Sequence, residues 1–246
     1  MKENGHADES GAPLARHQTL RRIVALDGID LDVRAGETVA VLGPNGAGKT
    51  TVVRTMLGLI EPTSGRVSIF GESPRGARAA GRVGAMLQVS SVPPMLTVRE
   101  HIELFSSYYA RPLPVATTIG LAALDRLTSR RYAALSGGEK QRLAFALAIC
   151  GDPALLFLDE PSVGLDVETR RLLWERVREF VARGKSIVLT THHLDEAEAL
   201  ADRAVVLVRG TVVAEGTPTS LKSRTGSTGD AAFERAYLSL TKEIAR

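Results

Sequence analysis

Cysteine, aromatic residues and long apolar runs are scarce in this sequence. One of its 246 residues is a cysteine, and phenylalanine, tyrosine and tryptophan together make up 4%. A single cysteine excludes a disulfide framework within the chain and fits a reducing compartment. The most apolar stretches, Leu143–Cys150 and Ala154–Leu158, are far shorter than the roughly 18–20 residues that cross a membrane. The sequence therefore predicts a chain without a membrane span of its own.

Charge and composition favour an ordinary globular protein. The 31 basic and 28 acidic residues give a net charge of +3, and hydrophobic residues make up 44%. Basic pairs such as Arg21-Arg22 and Arg130-Arg131 are scattered among acids, whereas a nucleic-acid footprint would show clustered lysine and arginine. Residues 1–12 are polar and lack the apolar core of a signal peptide, so we expect a disordered tail there.

Short apolar runs alternate with helical patterns along the chain, which predicts an α/β sheet. The stretch from about Ser90 to Cys150 is largely helical in pattern and is predicted to form a subdomain inserted into that sheet. Arg209-Gly210 lies between two strand patterns and predicts a hairpin. The predicted strands are Ile23–Val33, Thr38–Leu42, Arg66–Phe70, Arg82–Leu87, Ala154–Leu158, Ser186–Thr191, Ala204–Val208 and Thr211–Glu215, and the predicted helices are Lys49–Leu59, Thr97–Tyr109, Val115–Leu127, Gly137–Cys150, Val167–Arg183 and Leu194–Ala201.

A glycine-rich segment follows the strand pattern that ends at Leu42. Residues Gly43-Pro44-Asn45-Gly46-Ala47-Gly48-Lys49-Thr50 match the phosphate-loop pattern G-x-x-x-x-G-K-[ST]. The glycines let backbone N–H groups surround phosphate oxygens, and the positive end of the following helix points to the same place. Lys49 would contact the β- and γ-phosphates, and Thr50 would offer its hydroxyl to Mg²⁺. Thr51 completes the predicted nucleotide-binding set.

A phosphate loop needs a carboxylate on the metal side of the nucleotide. The apolar strand pattern Leu155–Leu158 ends in Asp159 and Glu160. Asp159 would hold Mg²⁺ through water, and Glu160 would act as general base for the attacking water. A buried strand with ordinary acids at its end explains this segment equally well by itself, and the presence of the phosphate loop favours the functional interpretation.

Further motifs separate the classes of phosphate-loop protein. Asn4 and Asn45 are the two asparagines and neither precedes a lysine, so the N-K-x-D motif of small GTPases is absent. The sequence up to this point does not exclude a helicase. Residues Leu135-Ser136-Gly137-Gly138-Glu139 open a helix pattern. With this segment the chain resembles the ATP-binding-cassette (ABC) family, whose signature is L-S-G-G-Q and in which glutamate at the last place is a familiar variant. Ser136 and Glu139 also match a helix-capping box, and both interpretations can hold.

The resemblance covers about Ile23 to Gly216, with the motifs in the family's order. In the family two domains pair head to tail and each signature covers the partner's ATP, so residues 136–139 are expected to contact nucleotide. The resemblance further implies a Q-loop glutamine at Gln88 that touches Mg²⁺ and senses the membrane partner. It also implies a D-loop aspartate at Asp166 that helps to join the subunits, and a switch histidine at His192 that contacts the γ-phosphate.

One position departs from the family pattern. The family usually stacks adenine on an aromatic residue some five positions before the segment that corresponds to Ala25-Leu26-Asp27-Gly28. That count reaches Leu20, and His17 is the only ring nearby. The sequence therefore does not identify the residue that contacts the base.

The resemblance implies a P-loop NTPase core with a mostly parallel sheet and an antiparallel β portion at the N-terminus. It implies one ABC ATPase domain over residues 13–224, a helical subdomain at about 90–150 and a C-terminal helical tail at 225–246. The expected activity is hydrolysis of ATP with Mg²⁺ by a dimer, with a homodimer expected. The expected partners are separate transmembrane permease subunits, which place the chain on the cytoplasmic face of the membrane.

The phrase Leu96-Thr97-Val98-Arg99-Glu100 resembles exporter-type members, including drug-efflux ATPases, so export is the expected direction; the sequence does not identify the substrate. We expect the permease to dock near Val92–Leu96 and Thr97–Tyr109, including Phe105, Tyr108 and Tyr109, although local core packing explains these aromatics equally well.

Two other functions are compatible with a phosphate loop and the signature segment. A soluble ATPase of the same family could act on nucleic acid or the ribosome, but such members usually carry two cassettes or long insertions. A catalytically inactive regulatory module is opposed by the intact set of Lys49, Asp159, Glu160 and His192.

Overall fold

The chain forms one mostly parallel sheet with helices on both faces. The computed structural model describes residues 25–87, 92–226, 229 and 231–242. In these ranges the strands follow the order β2-β3-β4-β1-β5-β6 across the sheet. Strands β1 to β5 run parallel, and β6 is antiparallel to β5. The strands are β1 (Thr38–Leu42), β2 (Val83–Met86), β3 (Leu155–Asp159), β4 (Ser186–Thr191), β5 (Arg203–Val208) and β6 (Thr211–Gly216).

Most of the helices follow strands in the chain, as parallel pairing requires. Three successive helices, α3 to α5, separate β2 from β3 in the chain. Within the described ranges, no helix combines the length and apolarity needed to cross a bilayer. The helices are α1 (Lys49–Met56), α2 (Pro74–Ala79), α3 (Val98–Ser106), α4 (Val115–Leu121), α5 (Gly137–Ile149), α6 (Val167–Val181), α7 (Leu194–Leu200), α8 (Pro218–Arg224) and α9 (Ala232–Lys242).

The sheet divides the hydrophobic core into two layers. Successive residues of β3 alternate between them: Leu156 and Leu158 pack with α5 and α6, whereas Phe157 packs with residues of α1. Every residue of β1, β3, β4 and β5 is buried, as expected for parallel strands covered on both faces. This burial explains the continuous apolar runs of the sequence and fixes the carboxyl ends of the strands relative to one another.

Two predicted strands are wrong in the described part of the chain. Residues 25–37 contain no strand, although Ile29, Leu31 and Val33 pack against the core layer of α1, so their alternation reflects packing without strand pairing. Residues 66–70 contain only an isolated bridge from Ile69 to Glu72, closed by a turn in which Phe70 has φ of 54°. The antiparallel pair seen here is β5–β6, and the first residues of the predicted strand Ile23–Val33 lie outside the described residues.

A predicted helix is also shorter than expected. The pattern Val115–Leu127 predicts one helix, but α4 ends at Leu121 and a short 3₁₀ turn covers Asp125–Leu127. Ala123 has φ of 52°, a left-handed conformation that stops an α-helix. In contrast, β2, β4, α6 and the hairpin at Arg209-Gly210 lie where the pattern predicts them.

Candidate functional site

The phosphate loop (residues 43–50) connects the end of β1 to the start of α1. Gly46 and Gly48 have φ of 81° and 106°, which favours glycine at both positions. A Cβ atom on Gly48 would lie 2.6 Å from the carbonyl oxygen of Ala25, and one on Gly43 would lie 2.3 Å from that of Leu207. Close backbone packing therefore requires glycine at both Gly43 and Gly48, and at Gly48 the left-handed turn requires it as well.

Lys49 is a buried cation at the start of α1. Its Nζ donates to the carbonyl oxygen of Gly43 at 2.8 Å and lies 3.3 Å from Oε1 of Glu160. Only 6% of the residue is exposed. The ammonium group, the loop N–H groups and the positive end of α1 are concentrated in one place, an arrangement suited to anionic oxygens.

The two acids at the end of β3 are held by β4. The backbone N–H of Glu160 donates to the carbonyl oxygen of Thr190 at 3.0 Å and to its Oγ1 at 3.1 Å. The Thr190 hydroxyl in turn donates to Oδ1 of Asp159. Glu160 has φ of 52°, so its carboxylate leaves the line of the strand. Thr190 was not among the residues singled out from the sequence.

A hydroxyl and a carboxylate meet where a divalent cation is expected. Oγ1 of Thr50 lies 3.3 Å from Oδ1 of Asp159, which is buried. Hard oxygen donors of this kind suit Mg²⁺, which commonly takes one or two protein oxygens and completes its shell with water and phosphate. In the described residues no group of three or more His, Cys, Asp or Glu side chains is arranged so that it could hold a metal ion. The Thr50 and Asp159 oxygens instead suit a Mg²⁺ that takes its remaining ligands from nucleotide phosphate and water.

His192 follows β4 and contacts the carboxylate of Glu160. Nδ1 of His192 lies 2.8 Å from Oε2 of Glu160. Glu160 is thus contacted by Lys49 on one oxygen and by His192 on the other. His193 stacks on His192 with 4.2 Å between ring centroids. Burial lowers the pKa of His193, and the neighbouring His192 lowers it further.

Lys49, Thr50 and Glu160 border a cavity of about 620 Å³, here called the phosphate-loop cavity, whereas Asp159 and His192 lie behind Thr50 and Glu160 and do not line it. It is bounded by the loop residues from Pro44 to Thr51, by Glu160, and by Ala25 and Arg209. Ala25 and Arg209 are site residues that sequence reasoning missed. Their local signal was weak, since Arg209 belongs to an ordinary hairpin turn and Ala25 is brought to the site by backbone packing against Gly48.

The predicted signature residues lie elsewhere. Ser136 caps α5 and forms a complete capping box with Glu139, whose Oε1 also pairs with Arg130 at 2.9 Å. The hydrogen bond from the Ser136 N–H, followed by the Arg130 charge, lowers the pKa of Glu139. None of residues 136–139 lines the phosphate-loop cavity. Within this single chain the signature therefore does not contribute to the cavity that holds Lys49.

The start of α6 lies against the start of α5. Asp166 caps α6 by accepting hydrogen bonds from the N–H of Thr169 at 2.8 Å and from its Oγ1 at 2.9 Å. These bonds lower the pKa of Asp166. A Cβ on Gly138 would come within 2.6 Å of Cγ2 of Thr169, so the predicted D-loop aspartate and the signature adjoin through one threonine. Gln88, Leu20 and His17 lie outside the described residues.

A second cavity, of about 650 Å³, lies between β2 and helices α3 and α5. Phe105 and Tyr109, two of the three aromatics named from the sequence as possible permease contacts, line it together with Val92 and Lys140. Tyr108 does not line it and is 70% exposed. Phe105 also packs against the core, so both interpretations of this aromatic hold in part. We call this cavity the α3–α5 groove.

Comparisons with known proteins agree with one another. The sequence model of the family described as ABC transporter matches residues 26–163. The chain is 43% identical over 206 residues to "Nod factor export ATP-binding protein I" of Burkholderia orbicola, covering 80% of this chain and 67% of that protein. A solved structure of an ATP-binding subunit of an ABC transporter superposes with a TM-score of 0.77 at 32% identity, covering 88% of this chain and 92% of that one. A dimeric ATP-binding cassette bound to ADP and phosphate in a post-hydrolysis state gives a TM-score of 0.71 at 27% identity, covering 78% and 90%.

Proposed function

The chain belongs to the ABC transporter family as an ATP-binding subunit that hydrolyses ATP, and we propose that it powers export of a substrate through separate transmembrane subunits. The observation that carries the proposal is the meeting of Lys49, Asp159, Glu160 and His192 at the phosphate loop. The Burkholderia relative is named for export, which supports this direction. The nucleic-acid alternative finds no support in the comparisons.

We assign binding of the triphosphate to the phosphate loop and Lys49. The loop N–H groups and the start of α1 face the β- and γ-phosphate oxygens, and Lys49 contributes the point charge. Because Gly43 already holds the ammonium group at 2.8 Å, little reorganisation is needed when negative charge develops on the transferred phosphoryl group.

We assign the general base to Glu160. The water oxygen bonds to the γ-phosphorus as the bond to the β–γ bridging oxygen breaks, and Glu160 takes the proton that the water loses. His192, whose Nδ1 is 2.8 Å from Oε2 of Glu160, holds the carboxylate in position. Its other ring nitrogen is then free to contact the γ-phosphate.

We propose that Thr50 and Asp159 hold Mg²⁺, with Gln88 as a further ligand expected from the sequence. When bound, the ion would neutralise charge on the β- and γ-phosphate oxygens. The support from the structure is the 3.3 Å separation of Thr50 Oγ1 and Asp159 Oδ1, which leaves both oxygens facing the same region.

We propose that the working form is a dimer in which residues 136–139 of one subunit complete the site of the other. The support is that these residues begin a helix, where backbone N–H groups suit a γ-phosphate, yet do not line the cavity of their own chain. The similar cassette solved as a dimer adds weight. We expect two identical subunits, because most oligomers of this size are symmetric homodimers.

A mixing experiment tests the shared site. Lys49→Ala removes the phosphate contact, and Ser136→Asp keeps a good helix cap while adding charge that repels the γ-phosphate. Each variant alone should be nearly inactive. When the two variants are mixed in equal amounts, about half of the dimers contain one copy of each variant, and each of these has one intact composite site out of two. If the sites act independently, about a quarter of the normal phosphate release is expected. A mixture that is no more active than the separate variants, with no ATP-dependent dimer in gel filtration, would contradict the arrangement.

We propose that the transmembrane partner docks in the α3–α5 groove. The groove is apolar along Val92 and Phe105 and adjoins α5, the helix that begins with the signature residues. A partner bound in the groove would therefore contact α5 and could shift the signature residues. Val92→Asp should reduce co-purification with the transmembrane subunit. Leu238→Asp on α9, also partly exposed, is the matched control that should leave it unchanged, and equal loss in both variants would refute this docking site.

A further inference from the structure

A cationic side chain without a role in the proposed hydrolysis lines the phosphate-loop cavity. Arg209 lines the cavity together with Lys49 and Glu160. Arg203, six residues earlier, is paired with Glu37 and Glu215, but none of the ion pairs formed among the described residues involves Arg209. Arg209 is an exposed residue that lines the cavity, and its guanidinium group forms no ion pair with an acid of the described residues.

The backbone fixes where this guanidinium can reach. Arg209 and Gly210 have φ of 49° and 80°, which identifies a tight type I′ hairpin turn. The N–H of Gly210 donates to the carbonyl oxygen of Ala47 at 2.9 Å, and its carbonyl accepts from the N–H of Asp27 at 2.8 Å. A Cβ on Gly210 would lie 2.7 Å from the carbonyl oxygen of Ala25. The hairpin tip is therefore clamped between the phosphate loop and residues 25–27.

The sheet topology places Arg209 far from the reacting phosphate. Glu160 follows β3 and Arg209 follows β5, and three strand spacings separate β3 from β5 in the order β3-β4-β1-β5. With neighbouring strands about 4.8 Å apart, the two residues leave the sheet about 14 Å from each other. A triphosphate whose terminal phosphate is at Lys49 and Glu160 ends before that distance. The Arg209 end of the cavity must then receive the nucleoside.

We propose that Arg209 is a nucleoside-binding residue, whose planar guanidinium stacks on the purine ring of the bound nucleotide. A guanidinium stacks on an aromatic face because it is flat, cationic and weakly hydrated, whereas an ammonium group cannot stack. The turn that holds it is tied to Ala47 of the phosphate loop, so the base contact and the phosphate contact belong to one rigid unit. This inference rests on the proposed assignment of the phosphate loop as the triphosphate site.

The test separates base binding from phosphate binding. Dissociation constants are measured calorimetrically for a non-hydrolysable ATP analogue with an imido β–γ bridge and for inorganic tripolyphosphate, using the full chain. For Arg209→Gln we expect binding of the analogue to weaken about 5- to 30-fold, as loss of one base-stacking contact implies, with tripolyphosphate binding unchanged. Arg209→Lys should not restore the analogue, because it keeps the charge without the plane. Arg75→Gln, on exposed α2, is the matched control.

Two outcomes overturn the inference. Unchanged binding of the analogue to Arg209→Gln would mean that the arginine does not contact the nucleotide. Equal weakening of the analogue and of tripolyphosphate, rescued by Arg209→Lys, would mean that it acts as a charge on phosphate. Lys49→Ala separates an error in the Arg209 inference from an error in the phosphate-loop assignment. If Lys49→Ala binds both ligands normally, the phosphate-loop assignment is wrong. If it loses binding of both ligands, that assignment stands and the Arg209 variants alone decide the inference. Thermal melting of each variant verifies that it is folded.

Discussion

Thr190 offers a direct test of how the carboxylates of the site are positioned. It is fully buried in β4, and its hydroxyl donates to Asp159 while accepting from the N–H of Glu160 at 3.1 Å. Thr190→Val keeps the shape of the side chain and removes both contacts. The N–H of Glu160 retains its bond to the Thr190 carbonyl oxygen at 3.0 Å, so the main loss falls on the Asp159 carboxylate.

The size of the effect follows from that difference. A hydrogen bond to a charged group contributes about 1.5–3 kcal/mol, and we expect Thr190→Val to lower the free energy of unfolding by about 2 kcal/mol. A chain of this length loses about 2–4 °C of Tm per kcal/mol, which predicts a Tm about 4–8 °C lower. ATP turnover should also fall, because the Asp159 carboxylate loses the hydroxyl of β4 that positions it.

Differential scanning calorimetry and a phosphate-release assay measure the two effects. Thr118→Val is the matched control, since Thr118 is also fully buried but its hydroxyl makes only a 3.4 Å contact to the carbonyl oxygen of Pro114, the residue that caps its own helix. We expect this control to lose less than about 1 kcal/mol and to keep its turnover. If both variants lose the same stability and Thr190→Val hydrolyses ATP normally, Thr190 does not position the acids and the reasoning fails.

Three further predictions address other parts of the site. Lys49→Ala should abolish ATP binding measured by fluorescence titration, and retained affinity would contradict its role. Gly138→Ala should cost about 1–3 kcal/mol in urea unfolding, because its Cβ would meet Thr169 at 2.6 Å. Burial raises the pKa of Glu196 above 4.5, so the folded state retains a proton that the unfolded chain releases, and stability falls as pH rises above 4.5; Glu196→Gln should remove this fall in denaturation measured across pH.

The sequence alone was sufficient to predict which residues come together in those parts of the candidate site that consist of contiguous residues. The phosphate loop, Asp159, Glu160 and His192 stand in recognisable local patterns, and the structure brings them together at the carboxyl ends of β1, β3 and β4. Parallel strands put their carboxyl ends at one edge of the sheet, so this convergence was predictable once the strands were recognised.

Other features depend on contacts that a local pattern does not encode. Thr190 looks like an ordinary buried strand residue, and its link to Asp159 appears only when β3 and β4 pair. Arg209 reaches the cavity because Gly210 packs against Ala25 and Ala47. The alternation of Ile29, Leu31 and Val33 was interpreted as strand pairing, although it serves packing against the core. In each case the missing information was the position of a distant segment of backbone.

ATP turnover by Glu160→Gln is the most direct test of our proposal that Glu160 takes the proton from the attacking water. Glutamine preserves the size of the side chain but cannot accept that proton, so we predict ATP binding within a few-fold of normal and turnover reduced about 10²- to 10⁴-fold. Glu72→Gln, which changes a half-exposed carboxylate paired with Arg82, should keep normal turnover. Full turnover by Glu160→Gln would contradict the account.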